Sequence, residues 1–248
     1  MDYKLEICAN SVASCVEAQK AGAYRVELCA AIPEGGTTPS YGDIAVAREL
    51  LDIKLNVIIR PRGGDFLYSA LEQKIMLKDI GMARQLGVDG VVIGCLSADG
   101  EVDMEHNREM IEAAGEMSVT FHRAFDMSRN PIDSLEKIIS LGCHRILTSG
   151  QQPTAAQGIP LLKELVQQAG DRIIIMPGSG INMHNISTIA RETGATEFHL
   201  SARRPVESAM AYRNPNIKMG GTAIVVEEYE QQVTNLELVR KTIAALGN

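Results

Sequence analysis

Short apolar runs of four to six residues recur along this chain, and stretches of near-helical apolar spacing separate them. The runs cover residues 5–8, 25–29, 55–60, 90–93, 118–121, 145–148, 172–176 and 197–201. Several follow a glycine turn: Ala21-Gly22-Ala23, Leu86-Gly87-Val88, Leu141-Gly142-Cys143, Ala169-Gly170 and Thr193-Gly194-Ala195. A glycine just past a helix suits the left-handed closing position, and an apolar run straight after it reads as the next buried strand. Residues 71–86 place Ile75, Leu77, Ile80, Met82, Ala83 and Leu86 at helical spacing. Asn130-Pro131 reads as a cap and first-turn proline opening a helix over 132–141. Residues 161–168 and 186–191 read similarly, and 227–246 is expected to close the chain as a helix. Eight strands alternating with eight helices, without a linker, predict one α/β domain over 1–248, a (β/α)8 TIM-type barrel. A doubly wound sheet is the rival, but it usually has fewer units. The glycine-rich loops here also follow late strands rather than the first.

A parallel strand buried on both faces normally reads as continuous hydrophobic. Two strands here do not. Leu5-Glu6-Ile7-Cys8-Ala9 and Val26-Glu27-Leu28-Cys29-Ala30 share the pattern apolar-Glu-apolar-Cys-Ala. Side chains alternate faces, so as parallel neighbours these strands would turn two carboxylates and two thiols to one surface. In a barrel of this type the functional face is the C-terminal end of the strands. Two thiolates there, Cys8 and Cys29, suit a soft ion such as Cu(I) or zinc. Two carboxylates, Glu6 and Glu27, can share charge so that one keeps a raised pKa for acid–base work. Buried cysteines packed as small hydrophobes, with glutamates paired to barrel arginines, are the plain alternative.

Other strand ends add candidates. The fifth runs into Phe121-His122-Arg123-Ala124-Phe125-Asp126, where His122 is a candidate acid or base oriented by Asp126. The eighth, Glu197-Phe198-His199-Leu200-Ser201, alternates without exception and would line the interior with Glu197, His199 and Ser201. After the third strand come Arg60 and Arg62, forked donors suited to carboxylate or phosphate. Three loops are further anion candidates: Ser149 after the sixth strand, Gly178 and Gly180 after the seventh, and Arg203 after the eighth. The long connection 203–222, with Arg204, Arg213 and Lys218, reads as a lid or interface segment.

Composition narrows the class. A net charge of −7 and 4% aromatic residues argue against a nucleic-acid surface. No apolar run approaches the roughly 20 residues needed to cross a bilayer. Met1-Asp2-Tyr3-Lys4 leads into a strand without an apolar leader, and five cysteines, an odd number, do not suggest a disulfide framework. A reduced cytoplasmic protein is the expectation.

Seven ordered motifs carry a family resemblance. They are Glu6-Ile7-Cys8, Arg25-Val26-Glu27-Leu28-Cys29, Glu34-Gly35-Gly36-Thr37-Thr38-Pro39-Ser40, Arg60-Pro61-Arg62-Gly63-Gly64-Asp65-Phe66, Phe121-His122-Arg123-Ala124-Phe125-Asp126, Leu147-Thr148-Ser149-Gly150 and Glu197-Phe198-His199. Together they resemble the CutC copper-homeostasis family. The resemblance implies a cytoplasmic TIM-type barrel, a homodimer or higher homo-oligomer, a role in copper tolerance, and Cu(I) held by Cys8 and Cys29. Of three readings, the copper-homeostasis protein leads and the enzyme is its alternative. One is Cu(I) binding assisted by His122 or His199. Another is an enzyme on a small anionic metabolite, phosphorylated ones included. There the anion is held by Arg60, Arg62, Ser149, Gly178, Gly180 and Arg203, and Glu6, Glu27, His122, Asp126 and His199 supply acid–base chemistry. The third is a scaffold working through its oligomer surface.

Overall fold

The computed structural model describes residues 3–217, 219 and 227–247. Eight parallel strands form the barrel wall: β1 Lys4–Ala9, β2 Arg25–Leu28, β3 Lys54–Ile58, β4 Gly90–Ile93, β5 Ser118–Phe121, β6 Arg145–Thr148, β7 Ile174–Pro177 and β8 Glu197–Leu200. They are hydrogen-bonded in the order β7-β6-β5-β4-β3-β2-β1-β8, so the sheet curls until β7 and β8 adjoin. Helices α1 Val12–Lys20, α2 Tyr41–Leu50, α3 Ala70–Gln85, α4 Met104–Ala114, α5 Pro131–Leu141, α6 Ile159–Ala169, α7 Ile186–Thr193 and α8 Leu236–Leu246 follow the strands in turn. This is the (β/α)8 barrel that the alternation of runs predicts.

Local chemistry sets the helix boundaries. Asn130 accepts from the amides of Ile132 and Asp133 with Pro131 in the first turn, and Gly142 closes α5 at φ 86°. Ser40 and Ser69 each form a capping box, with Asp43 and Glu72. The expected helix over 227–246 is shorter than its pattern. Residues Glu230–Thr234 form a strand, β10, pairing antiparallel with β9, Arg203–Glu207, and the helix begins only behind the Asn235 cap. Partnership across the loop outweighs local helical spacing at 230–234. The segment 203–222 is thus partly a hairpin arm; its Lys218 and Thr222 lie outside the described residues.

Strand alternation divides the side chains into two sets. Ile7, Leu28, Leu55, Ile93, Phe121 and Phe198 turn outward into the main apolar core against the helices. The inward set is polar. Register places Glu6 opposite Arg25 on one side and His199 on the other, and Cys8 opposite Glu27. Deep in the lumen Arg25 bridges Glu6 and Glu197 (Nη2–Oε2 2.8 Å to Glu197), and Arg145 reaches the same Glu197 oxygen at 3.1 Å. Gly90 makes room here, since a Cβ would lie 2.4 Å from Asn56 Oδ1. The charged floor holds the residues above it in place.

Candidate active site

At the C-terminal rim the inward side chains surround a cavity of about 290 Å³, walled by Cys8, Glu27, Cys29, Ile58, Arg60, Phe66, His122, Arg123, Asp126, Met127, Leu147 and His199, with Gly35 at its edge. Neighbouring strands β8, β1 and β2 supply its ionisable cluster. His199 Nδ1 meets Glu6 Oε1 at 2.8 Å, and its Nε2 lies 3.5 Å from Glu27 Oε2. The two thiol sulfurs are 3.9 Å apart, and Arg203 Nη2 donates to Cys8 Sγ at 3.1 Å.

This arrangement assigns protons. Burial alone would raise Glu6, but Arg25 and His199 overcome it and bring the carboxyl down to about 2. Burial opposes charge on His199 too, yet bonds to Cys8 and Glu6 and the nearby Glu27 hold the imidazole well above its ordinary value. Glu27 goes the other way. Burial, opposed by His199 and reinforced by Cys8 and Glu6, pushes it up to about 8. The bond from Cys29 is the largest influence on Cys8; with His199 and Arg203 it outweighs burial and favours the thiolate, while Cys29 is raised and keeps its proton. The surroundings therefore favour the charged forms of Glu6, His199 and Cys8 and the neutral forms of Cys29 and Glu27.

Across the cavity His122 is buried. Its burial, helped by Arg60, lowers it to about 3, so it is neutral. Its Nδ1 accepts from the Ala124 amide at 3.2 Å, while Nε2 has no partner among the described residues. Gly94 is what lets the ring lie there, because a Cβ would approach it to 2.6 Å. Arg60 spends Nη1 and Nη2 on the carbonyls of Glu34, Gly36 and Gly64, but its buried Nε is likewise unpartnered among the described residues.

The structure does not pair His122 with Asp126. The Asp126 carboxylate instead accepts from Thr148 Oγ1, from Ser149 N and Oγ, and from the Gln151 amide, while Arg123 Nε donates to it at 2.8 Å. The donors of the loop after β6, Ser149 among them, are thereby directed to an internal anion. Arg62 stands outside the cavity wall, bound to Glu72 and Asp65 and lying over the Tyr68 ring. Gly178 lies beneath His199 and Leu147, where a Cβ would meet Leu147 at 2.4 Å, and Gly180 sits against Thr154; neither lines the cavity. Arg203 faces Cys8 rather than a loop-bound anion. Sequence reasoning placed Glu197 in the interior but missed the walls Phe66, Leu147 and Met127 and the floor arginines Arg25 and Arg145 that hold it. Parity along strands β2 and β6 was the signal available for the two arginines.

A family model described as the CutC family matches residues 3–204. The chain belongs to the CutC family. A CutC family protein of Bacteroides thetaiotaomicron is 60% identical over 245 residues, covering 98% of each chain. One from Chromobacterium violaceum is 53% identical over 246 residues, 99% of each. Among solved structures, a protein of Streptococcus agalactiae named for copper homeostasis and CutC superposes with a TM-score of 0.77 at 36% identity, covering 80% of this chain and 98% of that one. A thiamine phosphate pyrophosphorylase from Pyrococcus furiosus superposes with a TM-score of 0.61 at 15% identity, over 99% of this chain and 96% of that one, a likeness of fold alone. No helix among the described residues is long and apolar enough to cross a membrane.

Proposed function

We propose that this CutC-family protein is a cytoplasmic enzyme that binds a small anionic molecule in the rim cavity and acts on it by proton transfer or nucleophilic attack. One observation carries the reading: Arg60 and His122 line the cavity, and each keeps a buried nitrogen, Nε and Nε2, without a hydrogen-bond partner among the described residues. A buried donor without a partner costs about 1–3 kcal/mol, and an anionic ligand would remove that cost. Glu27, held protonated towards pH 8, then stands on one side of the ligand as an acid, and neutral His122 on the other as a hydrogen-bond donor. The test is a thermal-shift screen of small carboxylates and phosphate esters against the wild type, Arg60→Lys and His122→Asn. Stabilisation by an anion that both variants lose supports the reading. A screen without any stabilising anion overturns it.

A second reading, Cu(I) as cargo, draws on the thiol pair. Cys8, Glu27 and His199 present donor atoms within 4.8 Å of one another, and Cys29 lies 3.9 Å from Cys8. Two sulfurs about 2.3 Å from one ion at a tetrahedral angle would stand about 3.8 Å apart, so the pair fits a soft ion. Arg203 donates to Cys8 and His199 is held toward its charged form, so both oppose a cation at the thiol pair and favour an anion in the cavity. Competition titration of Cu(I) against Cys8→Ser/Cys29→Ser separates the two readings: affinity retained by the double variant removes the copper site.

A further inference from the structure

We propose that Cys8 is a nucleophile whose sulfur adds to the carbonyl carbon of a small anionic aldehyde or ketone held in the rim cavity. This deepens the enzyme reading and rests on it for the ligand's charge. Cys8 is half-buried on the cavity wall, whereas the other four cysteines are buried. Three donors surround its sulfur: Arg203 at 3.1 Å, Cys29 at 3.9 Å, and His199 within the same 4.8 Å cluster. Glu6 in turn holds the far nitrogen of His199 at 2.8 Å. Cys8, His199 and Glu6 thus stand in the order of nucleophile, imidazole partner and orienting carboxylate, a constellation recognised by geometry and not by sequence position.

Glu27 decides the electrophile. Glu27 Oε2 lies 3.5 Å from His199 Nε2 and both residues face the cavity, so the pair stands beside an oxygen that gains charge there. In the addition the Cys8 Sγ–carbon bond forms and the carbonyl π pair moves onto oxygen. The Glu27–His199 pair gives that oxygen one proton and is left one proton poorer. The reverse steps restore all groups, so neither an oxidant nor a leaving group is required. The ligand's carboxylate or phosphate lies toward Arg60 and His122 across the cavity.

Alkylation of the intact protein tests this, with sites mapped by peptide mass spectrometry. Iodoacetate and iodoacetamide both lose iodide to an attacking thiolate, and Cys15, Cys95 and Cys143, buried and raised by burial, serve as internal controls. Cys8 is expected to react about tenfold faster or more than those three. Its preference for iodoacetate over iodoacetamide should exceed that of free glutathione severalfold, and Arg203→Ala should slow it and reduce that preference. Glyoxylate, the smallest anionic aldehyde, should protect Cys8 at concentrations where acetate does not. Reaction no faster than at the buried cysteines overturns the nucleophile. Fast reaction without anionic preference overturns the anion-binding enzyme reading and leaves Cys8 reactive. Glyoxylate protecting no better than acetate overturns carbonyl addition.

Discussion

Glu6 and Glu27 occupy equivalent places in two nearly identical strand sequences, yet their protons are held oppositely. Glu6 faces Arg25 and His199, while Glu27 lacks a guanidinium partner among the described residues and shares its space with the Cys8 thiolate. The contrast predicts a pH effect. The unfolded chain releases the Glu27 proton near its ordinary 4.5, and the folded chain keeps it to about 8. Folded protein therefore binds more protons across that window, and stability falls as pH rises through it. Glu27→Gln removes this dependence, so its melting temperature relative to wild type should climb from pH 4.5 to pH 8; a constant difference would contradict the assignment. Arg25 answers to a different rule. Arg25→Ala strands Glu6 and Glu197 in the lumen without their shared partner and should cost roughly 3–5 kcal/mol in denaturant unfolding. Arg25 was legible only as a polar position on the inward parity of its strand, because the sequence does not say which carboxylates lie across a barrel.

At the scale of elements, the loop after β6 shows how a glycine- and hydroxyl-rich turn can be satisfied from within. Asp126, in the short 3₁₀ turn Arg123–Met127, collects donors from Thr148, Ser149 and Gln151 and ties the β5 and β6 loops together. Asp126→Ala leaves several buried donors unmet and should lower stability by about 2–3 kcal/mol. The amides of Ser149 and Gln151 should also exchange faster with solvent; unchanged exchange would show that the carboxylate does not organise the loop. Helix starts obey simpler chemistry. Ser69→Ala removes the α3 capping box and should cost about 1 kcal/mol. That cap, like Asn130-Pro131, is written in adjacent residues and needs no tertiary information. The β10 strand is the opposite case, since its partner β9 lies more than twenty residues earlier.

Across the whole molecule, the family match ends at residue 204, where the hairpin arm leaves the barrel. The arm is fastened at its base, where Thr234 N donates to Ser14 and Asn10 to the Gln232 carbonyl, and α8 beyond it packs on α1 and α7. Its outer part is exposed, including Met210, Tyr212, Arg213 and Ile217. Limited trypsin digestion should cut first at Arg213, and the two fragments should stay together until denatured. A first cut inside α1–α7 would contradict this picture of a closed barrel with an external arm.

The chain's own pattern of strands, helices and glycine stops determined the barrel, because each unit's period and caps depend on residues within a few positions. Strand parity likewise determined that Glu6, Cys8, Glu27, Cys29, His122 and His199 turn inward. Which of these meet was decided by closure alone. Bringing β8 beside β1 placed His199 between Glu6 and Glu27, and the β5 turn sent Asp126 to the β6 loop instead of to His122. Contacts such as that between Glu6 and His199, 193 positions apart, depend on register and tilt around the cylinder, and side-chain spacing along one strand carries no record of either.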